Sequence, residues 1–128
     1  MDIEHVALIV EDPASVANWY AAHLGLRVVR KDEGPAQMRF LAEGSGHVML
    51  EVYRSAKLEV PDYAAMDPLM LHVAFSADDV AGTRKRLIDA GARPVGEVIT
   101  GSAGDTLALL RDPWGLAIQL VKRATPLV

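Results

Sequence analysis

Four polar side chains occur at matched spacing in short apolar segments of this sequence. His5 and His72 are 67 residues apart, and Glu51 and Gln119 are 68 residues apart. Imidazole and carboxylate groups bind divalent cations and transfer protons, whereas an amide oxygen accepts hydrogen bonds but is no base near neutral pH. Each residue alone has an ordinary explanation as a hydrogen-bonded core residue or a solvent-facing strand residue. Buried together, they would be satisfied by a divalent cation such as Ni, Co, Fe, Mn or Zn.

The elements that would position these residues occur twice, in the order β-α-β-β-β. The first helix is predicted to begin after Asp12 and to end at Gly25, and the second has a Ser76-x-x-Asp79 capping pattern and Gly91 at its end. Strands are predicted at 5–10, 26–31, 37–43 and 47–53, and again at 69–76, 93–100, 105–112 and 115–122. Such self-similarity indicates two equivalent modules.

The repeat predicts how the domain is organised. Module 1 covers about 2–53, a linker or flap covers 54–68, and module 2 covers about 69–122. Neither module would bury much core alone, so we expect one domain over residues 1–128.

Alternation along the strands predicts the face on which each polar residue lies. His5 and His72 lie opposite apolar triplets in their strands. Glu51 lies opposite Val48, Leu50 and Val52, and Gln119 lies opposite Leu116, Ile118 and Leu120. The apolar sides are suited to helix packing, so the four polar groups are predicted to project away from the helices.

Composition excludes several classes of function. The chain has no cysteine, which rules out disulfides, thiolate nucleophiles and cysteine-based zinc sites. A net charge of −4 with scattered Lys and Arg argues against a nucleic-acid partner, and no apolar run has the length of a membrane span. The first residues lack the basic start of a signal peptide. We therefore expect a cytoplasmic protein without a nucleic-acid or membrane partner.

Several segments carry a resemblance to a known family. They are "IEHVALIVEDPASVANWYAAHLGLRVV", "HVMLEVY", "LHVAFSADDVAGTRKRLIDAGA" and "LLRDPWGLAIQLV". Together they resemble the vicinal oxygen chelate superfamily, which includes glyoxalase I, extradiol dioxygenases, methylmalonyl-CoA epimerase, fosfomycin-resistance proteins and bleomycin-binding proteins. The resemblance implies an α+β fold in which two tandem βαβββ modules form an open cup of mostly antiparallel, eight-stranded sheet with the helices outside. It also implies a homodimer, in which the modules pair within one chain or between two.

The resemblance implies a metal site and a reaction class. Its ligand positions correspond to His5, Glu51, His72 and Gln119. Because Gln119 is an amide, Glu51 is the one carboxylate among them and the predicted catalytic base. The favoured function is a glyoxalase-like lyase or isomerase. Glutathione-dependent glyoxalase I itself is disfavoured, since that group has Arg and Asn where this chain has Ile9 and Ser55.

Four further residues are predicted to contact the substrate. Predicted substrate residues are His47, Tyr53, Arg54 and Tyr63, the last on a segment that could close over the site. Two other functions stay open at this point. One is an extradiol-type dioxygenase, and the other is a non-catalytic protein that binds a small molecule such as an antibiotic.

Overall fold

The computed structural model describes residues 1–47 and 49–128 of the chain. It has an α+β architecture with two compact units, Met1–Pro61 and Asp62–Val128. Each unit contains one helix and one four-stranded mixed sheet, as the predicted βαβββ repeat requires. The two helices have 12 and 10 residues, and no helix in the described part of the chain is long and apolar enough to cross a bilayer.

Unit 1 begins with an edge strand and ends with an interior one. Its elements are β1 (His5–Ile9), α1 (Pro13–Leu24), β2 (Arg27–Lys31), β3 (Arg39–Ala42) and β4 (Met49–Tyr53). The sheet order is β1-β4-β3-β2, with β1 parallel to β4 and the other two pairs antiparallel. The first and last strands are therefore neighbours, which brings distant parts of the sequence side by side.

Helix α1 forms where its capping residues predict. The Asp12 side chain accepts a hydrogen bond from the backbone N–H of Ser15, and Pro13 occupies the first turn. Gly25 ends the helix at φ 72°, a left-handed conformation that side chains disfavour. The helix packs on β2, β3 and β4, so its buried Val16 and Tyr20 contribute to the core of unit 1.

Strand β4 separates its two faces as alternation predicts. Leu50 and Val52 are buried, whereas Met49, Glu51 and Tyr53 are partly exposed. His47 lies in the turn before the strand, which is shorter than the predicted 47–53 segment. Val48, placed in that strand by the sequence, lies outside the described residues.

Unit 2 repeats the arrangement. Its elements are β5 (Val73–Ser76), α2 (Val80–Asp89), β6 (Arg93–Thr100), β7 (Thr106–Arg111) and β8 (Ala117–Lys122). The sheet order is β5-β8-β7-β6, again with one parallel pair, β5 and β8. Helix α2 packs on β6, β7 and β8, and Leu87 together with Leu110, Ile118 and Leu120 is almost fully buried.

Two predictions for unit 2 were wrong at the start of the module. The strand predicted at 69–76 begins only at Val73, because Asp67 organises a turn: its side chain accepts from the N–H of Leu69 and its carbonyl from the N–H of Met70. The helix cap is Asp79, whose side chain accepts from the N–H of Gly82. The predicted cap, Ser76, is the last residue of β5, where its backbone belongs to the sheet.

The two sheets have the same register around the candidate site residues. In unit 1, Glu51 pairs with Ala7, two residues after His5. In unit 2, Gln119 pairs with Ala74, two residues after His72. The sequence repeat is thus also a repeat of strand pairing, since Glu51 and Gln119 each pair with the residue two positions after a histidine.

Candidate metal and proton-transfer site

His5 and Glu51 are in contact in unit 1. Nε2 of His5 lies 3.2 Å from Oε2 of Glu51, across the parallel pairing of β1 and β4. The two residues are on neighbouring strands, so the backbone hydrogen bonds between β1 and β4 fix where their side chains start. The Glu51 side chain is 16% exposed and that of His5 is 35% exposed, so solvent-borne ligands can reach the pair.

The other ring nitrogen of His5 is already occupied. Nδ1 contacts the carboxylate of Glu4, the preceding residue. This hydrogen bond raises the pKa of His5; partial burial opposes the rise, and the charges of Glu4 and Glu51 add to it. An acceptor on Nδ1 fixes the ring, so Nε2 is the nitrogen that faces Glu51 and would bind a ligand.

His72 in unit 2 has the same arrangement with a different acceptor. Its Nδ1 lies 2.8 Å from the backbone carbonyl oxygen of Pro68, in the turn that precedes β5. The carbonyl oxygen can only accept, so the Nδ1–H donates to it, and Nε2 is the ring nitrogen that a metal would bind. Both predicted metal-binding histidines therefore have a second partner that fixes the ring, as metal-binding histidines usually do.

An aromatic ring borders the pair in unit 1. Phe40 on β3 lies edge-on to the His5 ring, with centroids 5.4 Å apart and an interplanar angle of 82°. Phe40 is also the strand partner of Glu51. Its ring gives the carboxylate an apolar neighbour on one side, while His5 provides a polar neighbour on the other.

The donor atoms are compatible with a divalent cation. Two ligands bound at about 2.1 Å in adjacent octahedral positions are about 3.0 Å apart, close to the Nε2–Oε2 separation of 3.2 Å. An imidazole nitrogen beside a carboxylate oxygen suits Ni, Co, Fe, Mn or Zn. Within neither unit do three or more described His, Asp or Glu residues cluster as a possible metal site. Each unit on its own thus offers one histidine and one oxygen donor.

Gln119 occupies the position in unit 2 that Glu51 occupies in unit 1. It pairs with Ala74 of β5 and Leu109 of β7, as Glu51 pairs with Ala7 and Phe40. It is partly exposed between buried Ile118 and Leu120. The equivalent position in unit 2 is thus uncharged.

The predicted substrate residues are dispersed in the structure. Tyr53 ends β4 on the face that carries Glu51. His47 is exposed in the turn before that strand, where its N–H donates to Ser45 Oγ. Arg54 donates from Nε to the Pro35 carbonyl at 2.9 Å, which holds the loop between β2 and β3.

Tyr63 lies in unit 2 and is buried. The segment around it is anchored by Arg111, whose guanidinium donates to the carbonyl oxygens of Tyr63, Met66 and Gly115. Gly115, at φ 97°, lies so close to Ala64 that an added Cβ would be 2.8 Å from it. This part of the predicted flap is fixed to unit 2, and its contact with a substrate stays a prediction.

Sequence reasoning missed three participants around the two histidines: Glu4, Pro68 and Phe40. Glu4 could have been noticed, because a carboxylate directly before a strand histidine can reach its ring. Pro68 was hidden by the overlong strand predicted at 69–76, which left no turn to supply a carbonyl. Phe40 required the register between β3 and β4, which alternation alone does not provide.

Comparison with known proteins identifies the family. Residues 2–120 match the model of the Glyoxalase/Bleomycin resistance protein/Dioxygenase superfamily. The chain belongs to this superfamily. The resemblance seen in the sequence is thereby confirmed over nearly the whole chain. A search of curated protein sequences finds no significant match to this superfamily member.

Solved structures share the fold. A glyoxalase-family protein from Bacillus cereus has a TM-score of 0.83 at 20% identity, covering 98% of this chain and 95% of that one. A glyoxalase I mutant from Zea mays has 0.77 at 22%, covering 97% of this chain and 46% of that one. An antibiotic-binding protein from Streptomyces sp. CB03234 has 0.71 at 17%, covering 97% of each. At these identities the likeness establishes the fold alone, and this chain spans about half of the maize chain.

Proposed function

We propose that this superfamily member is a divalent-metal-dependent lyase or isomerase that moves a proton on a small substrate with two adjacent oxygens. Its protein ligands are His5, Glu51, His72 and Gln119. The observation that carries the proposal is the hydrogen-bonding pattern that the two histidine rings share. In each ring Nδ1 lies against a nearby acceptor, so Nε2 is the nitrogen that would bind a metal, and in His5 it lies 3.2 Å from Oε2 of Glu51.

Glu51 is the proposed base. Its Oε2 faces His5, and among the described residues no hydrogen-bond donor contacts Oε1. Oε1 takes a proton from the substrate carbon and returns it to the adjacent atom. When bound, the metal would polarise the two substrate oxygens and make that carbon more acidic. Since β4 lies between β1 and β3, the carboxylate is held by an interior strand during the transfer.

Metal analysis of untagged protein tests the ligand assignment. We expect about one divalent ion per chain in the wild type and a large loss of bound metal in His5→Ala, Glu51→Ala and His72→Ala. His23→Ala is the matched control, because His23 is on α1 beside Trp19 and removes an imidazole elsewhere. Equal metal content in wild type and all three ligand variants would contradict the proposal.

A screen of substrates tests the reaction class. Adducts of α-ketoaldehydes with thiols, acyl-CoA esters and catechols distinguish proton transfer from ring-cleaving oxygenation. For the first two classes, deuterium uptake from solvent at the carbon beside the carbonyl is the direct readout. We expect uptake with the metal-loaded wild type and little with Glu51→Gln. Oxygen consumption with a catechol would favour the dioxygenase instead.

Homodimer formation is also part of the proposal. It can be tested by mixing His5→Ala chains with Gln119→Ala chains. If one metal site takes ligands from two chains, the mixture contains some complete sites and recovers part of the bound metal. If each site belongs to one chain, mixing recovers none. Sedimentation of the wild type gives the oligomeric state independently.

A second candidate is non-catalytic binding of a small molecule. The observation in its favour is a groove of about 830 Å³ in unit 1, lined mainly by apolar atoms. Its walls include Val10, Pro35, Ala36, Leu58 and Val60. Calorimetric titration of metal-stripped protein with bleomycin tests it. Tight binding that is lost in Leu58→Asp, without any metal dependence, would favour this function over the enzyme.

A further inference from the structure

Two arginines of β2 are aligned with the candidate site across the sheet of unit 1. Arg30 pairs with Phe40, which pairs with Glu51. Arg27 pairs with Ala42, which pairs with Met49, the strand partner of His5. Residues that pair across neighbouring strands project to the same face. The register therefore places both arginines on the face that carries His5 and Glu51.

The alignment of Arg30 depends on an irregularity in β2. The pairing with β3 shifts between Val28 and Arg30, so Val29 is an extra residue in the strand. In a regular strand, Arg27 and Arg30 would point to opposite faces because they are three residues apart. The bulge brings them to the same one.

Neither arginine is neutralised in unit 1. The nearby carboxylate, Glu33, is 3.3 Å from Lys31 and 3.1 Å from Arg39. Arg39 is also buried and donates to the backbone carbonyls of residues 32, 37 and 38, so its role is structural. Arg27 and Arg30 are exposed, and their side chains make no hydrogen bond or ion pair with the described residues.

The distance across the sheet sets the length of a ligand that could contact both the arginines and the His5–Glu51 pair. Two strand spacings of nearly 5 Å put the Arg30 backbone about 10 Å from that of Glu51. The rows of Arg27 and Arg30 are two residues apart on β4, which corresponds to about 7 Å. Between the arginines and the His5–Glu51 pair lie Phe40 and Ala42, an apolar surface.

We propose that Arg27 and Arg30 bind a carboxylate at the far end of the substrate, about 10 Å from the atoms that react at Glu51. This inference rests on the proposed function and specifies its substrate class. The substrate has two adjacent oxygens at one end, an apolar middle part and a carboxylate at the other end. Guanidinium groups suit this role because their paired N–H donors match the two oxygens of a carboxylate.

The arginines of β2 could instead protect the edge of the sheet. Edge strands commonly carry cations and bulges to prevent pairing with other chains. The other sheet protects its equivalent edge, β6, by Pro94, which has no N–H, and by a register shift. To protect the edge, a charged side chain can project to either face of β2. To bind the substrate carboxylate, it must project to the face that carries Glu51.

Lys31 provides the matched control for this distinction. It is a cation on the same strand, but it pairs with Arg39, whose own partner on β4 is the buried Val52. It therefore lies on the helix-packed side. Lys31→Ala removes the same charge from the same edge as Arg27→Ala or Arg30→Ala, but from the opposite face.

Two hydroxamates test the proposal in the metal-loaded protein. Suberic acid monohydroxamate and octanohydroxamic acid have the same chelating head and the same eight-carbon chain, and end in a carboxylate or a methyl group. We expect calorimetry to show the carboxylate ligand binding about 10-fold tighter than the methyl ligand. Arg27→Ala and Arg30→Ala should each remove most of this preference, and Lys31→Ala should leave it unchanged.

The outcomes separate this proposal from the proposed function. If both hydroxamates bind with metal dependence but with equal affinity, the carboxylate site is overturned and the metal site stands. A preference lowered equally by Lys31→Ala and the arginine variants shows general charge attraction and also overturns it. If the arginine variants aggregate in sedimentation experiments but still prefer the carboxylate ligand, the role of the two arginines is edge protection. If neither hydroxamate binds in a metal-dependent way, both proposals fail.

Discussion

The two sheets carry equivalent rows of residues whose chemistry differs. A row here is a set of four residues, one from each strand, in which each residue pairs with the next across the sheet. The strands follow in equivalent order in both units. The unit 1 row is Arg30, Phe40, Glu51 and Ala7, and the unit 2 row is Val95, Leu109, Gln119 and Ala74. One row has a cation and an anion, whereas the other has an amide as its single polar group. The backbone pairing is thus the same in both rows, but the ionisable groups are in the unit 1 row.

The carboxylate of Glu51 and the amide of Gln119 can do different chemistry. A carboxylate can exchange a proton near neutral pH, whereas an amide can only accept or donate hydrogen bonds or bind a cation through oxygen. Unit 1 is therefore the half in which proton transfer would occur. In unit 2 the amide of Gln119 occupies the equivalent position and cannot act as a base.

Glu51→Gln gives the largest expected effect, because it gives unit 1 the neutral chemistry of unit 2. Loss of a general base typically reduces rates by 10²–10⁴-fold, and we expect a reduction in that range for solvent deuterium uptake. Gln119→Glu is the complementary variant, which adds a carboxylate to the unit 2 row. If Glu51→Gln exchanged at the wild-type rate, the assignment of the base to unit 1 would be wrong.

Much of this comparison could be anticipated from the sequence, because its signals were local. The 67- and 68-residue offsets predicted the equivalence of the two modules, and Asp12, Pro13 and Gly25 predicted the ends of α1. Alternation in β4 separated Glu51 from Leu50 and Val52, as the structure has it. These features depend on neighbouring residues or on a repeat that is visible in the sequence.

Features that depend on pairing between strands could not be anticipated. The face of Arg30 follows from the extra residue Val29, and strict alternation would place it on the helix side. The ring orientation of His72 depends on Pro68, in a turn set by Asp67. The metal-binding roles of His5, Glu51, His72 and Gln119 stay predictions, as do the substrate contacts of His47, Tyr53, Arg54 and Tyr63.

The next largest effect is a loss of stability when a core residue on the helix-packed side of either sheet is truncated. Leu50 on β4 and Ile118 on β8 occupy equivalent positions on the helix-packed sides, with exposed fractions of 9% and 0%. Truncation of such residues to Ala costs about 2–5 kcal/mol through lost burial and the cavity left behind. We expect Ile118→Ala to reduce the free energy of unfolding more than Leu50→Ala, measured by urea titration. If Leu50→Ala cost more than Ile118→Ala, the exposed fraction of the side chain would not determine the loss of stability at these two positions.

Helix caps give a smaller effect, and they compare the helix starts of the two units. Asp12→Ala and Asp79→Ala should each reduce the free energy of unfolding by about 1 kcal/mol, because each carboxylate accepts a backbone N–H of the first turn. Asp12 also accepts from the Ser15 hydroxyl at 2.6 Å, so its loss should be the greater. Ser76→Ala is the control and should change little. A larger loss in Ser76→Ala than in Asp79→Ala would restore the cap predicted from the sequence.

The smallest effect is a pH dependence that belongs to unit 2. Hydrogen bonds from the Arg123 side chain and from the Ala124 N–H lower the pKa of Asp105 below its ordinary value of 3.8. A lowered pKa stabilises the folded protein above that value, and the contribution disappears as the pH falls through the folded pKa. Asp105→Asn should therefore reduce stability in urea unfolding at neutral pH, and this difference should vanish in strong acid.

Glu43 provides the counterpart in unit 1. Its pKa is also lowered, by hydrogen bonds from Ser45 within one turn, whereas Asp105 joins the start of β7 to the segment after β8. Because local contacts can persist in the unfolded chain, Glu43→Gln should have a weaker pH dependence than Asp105→Asn. Equal dependence in the two variants would mean that joining distant segments adds nothing to the stability of unit 2.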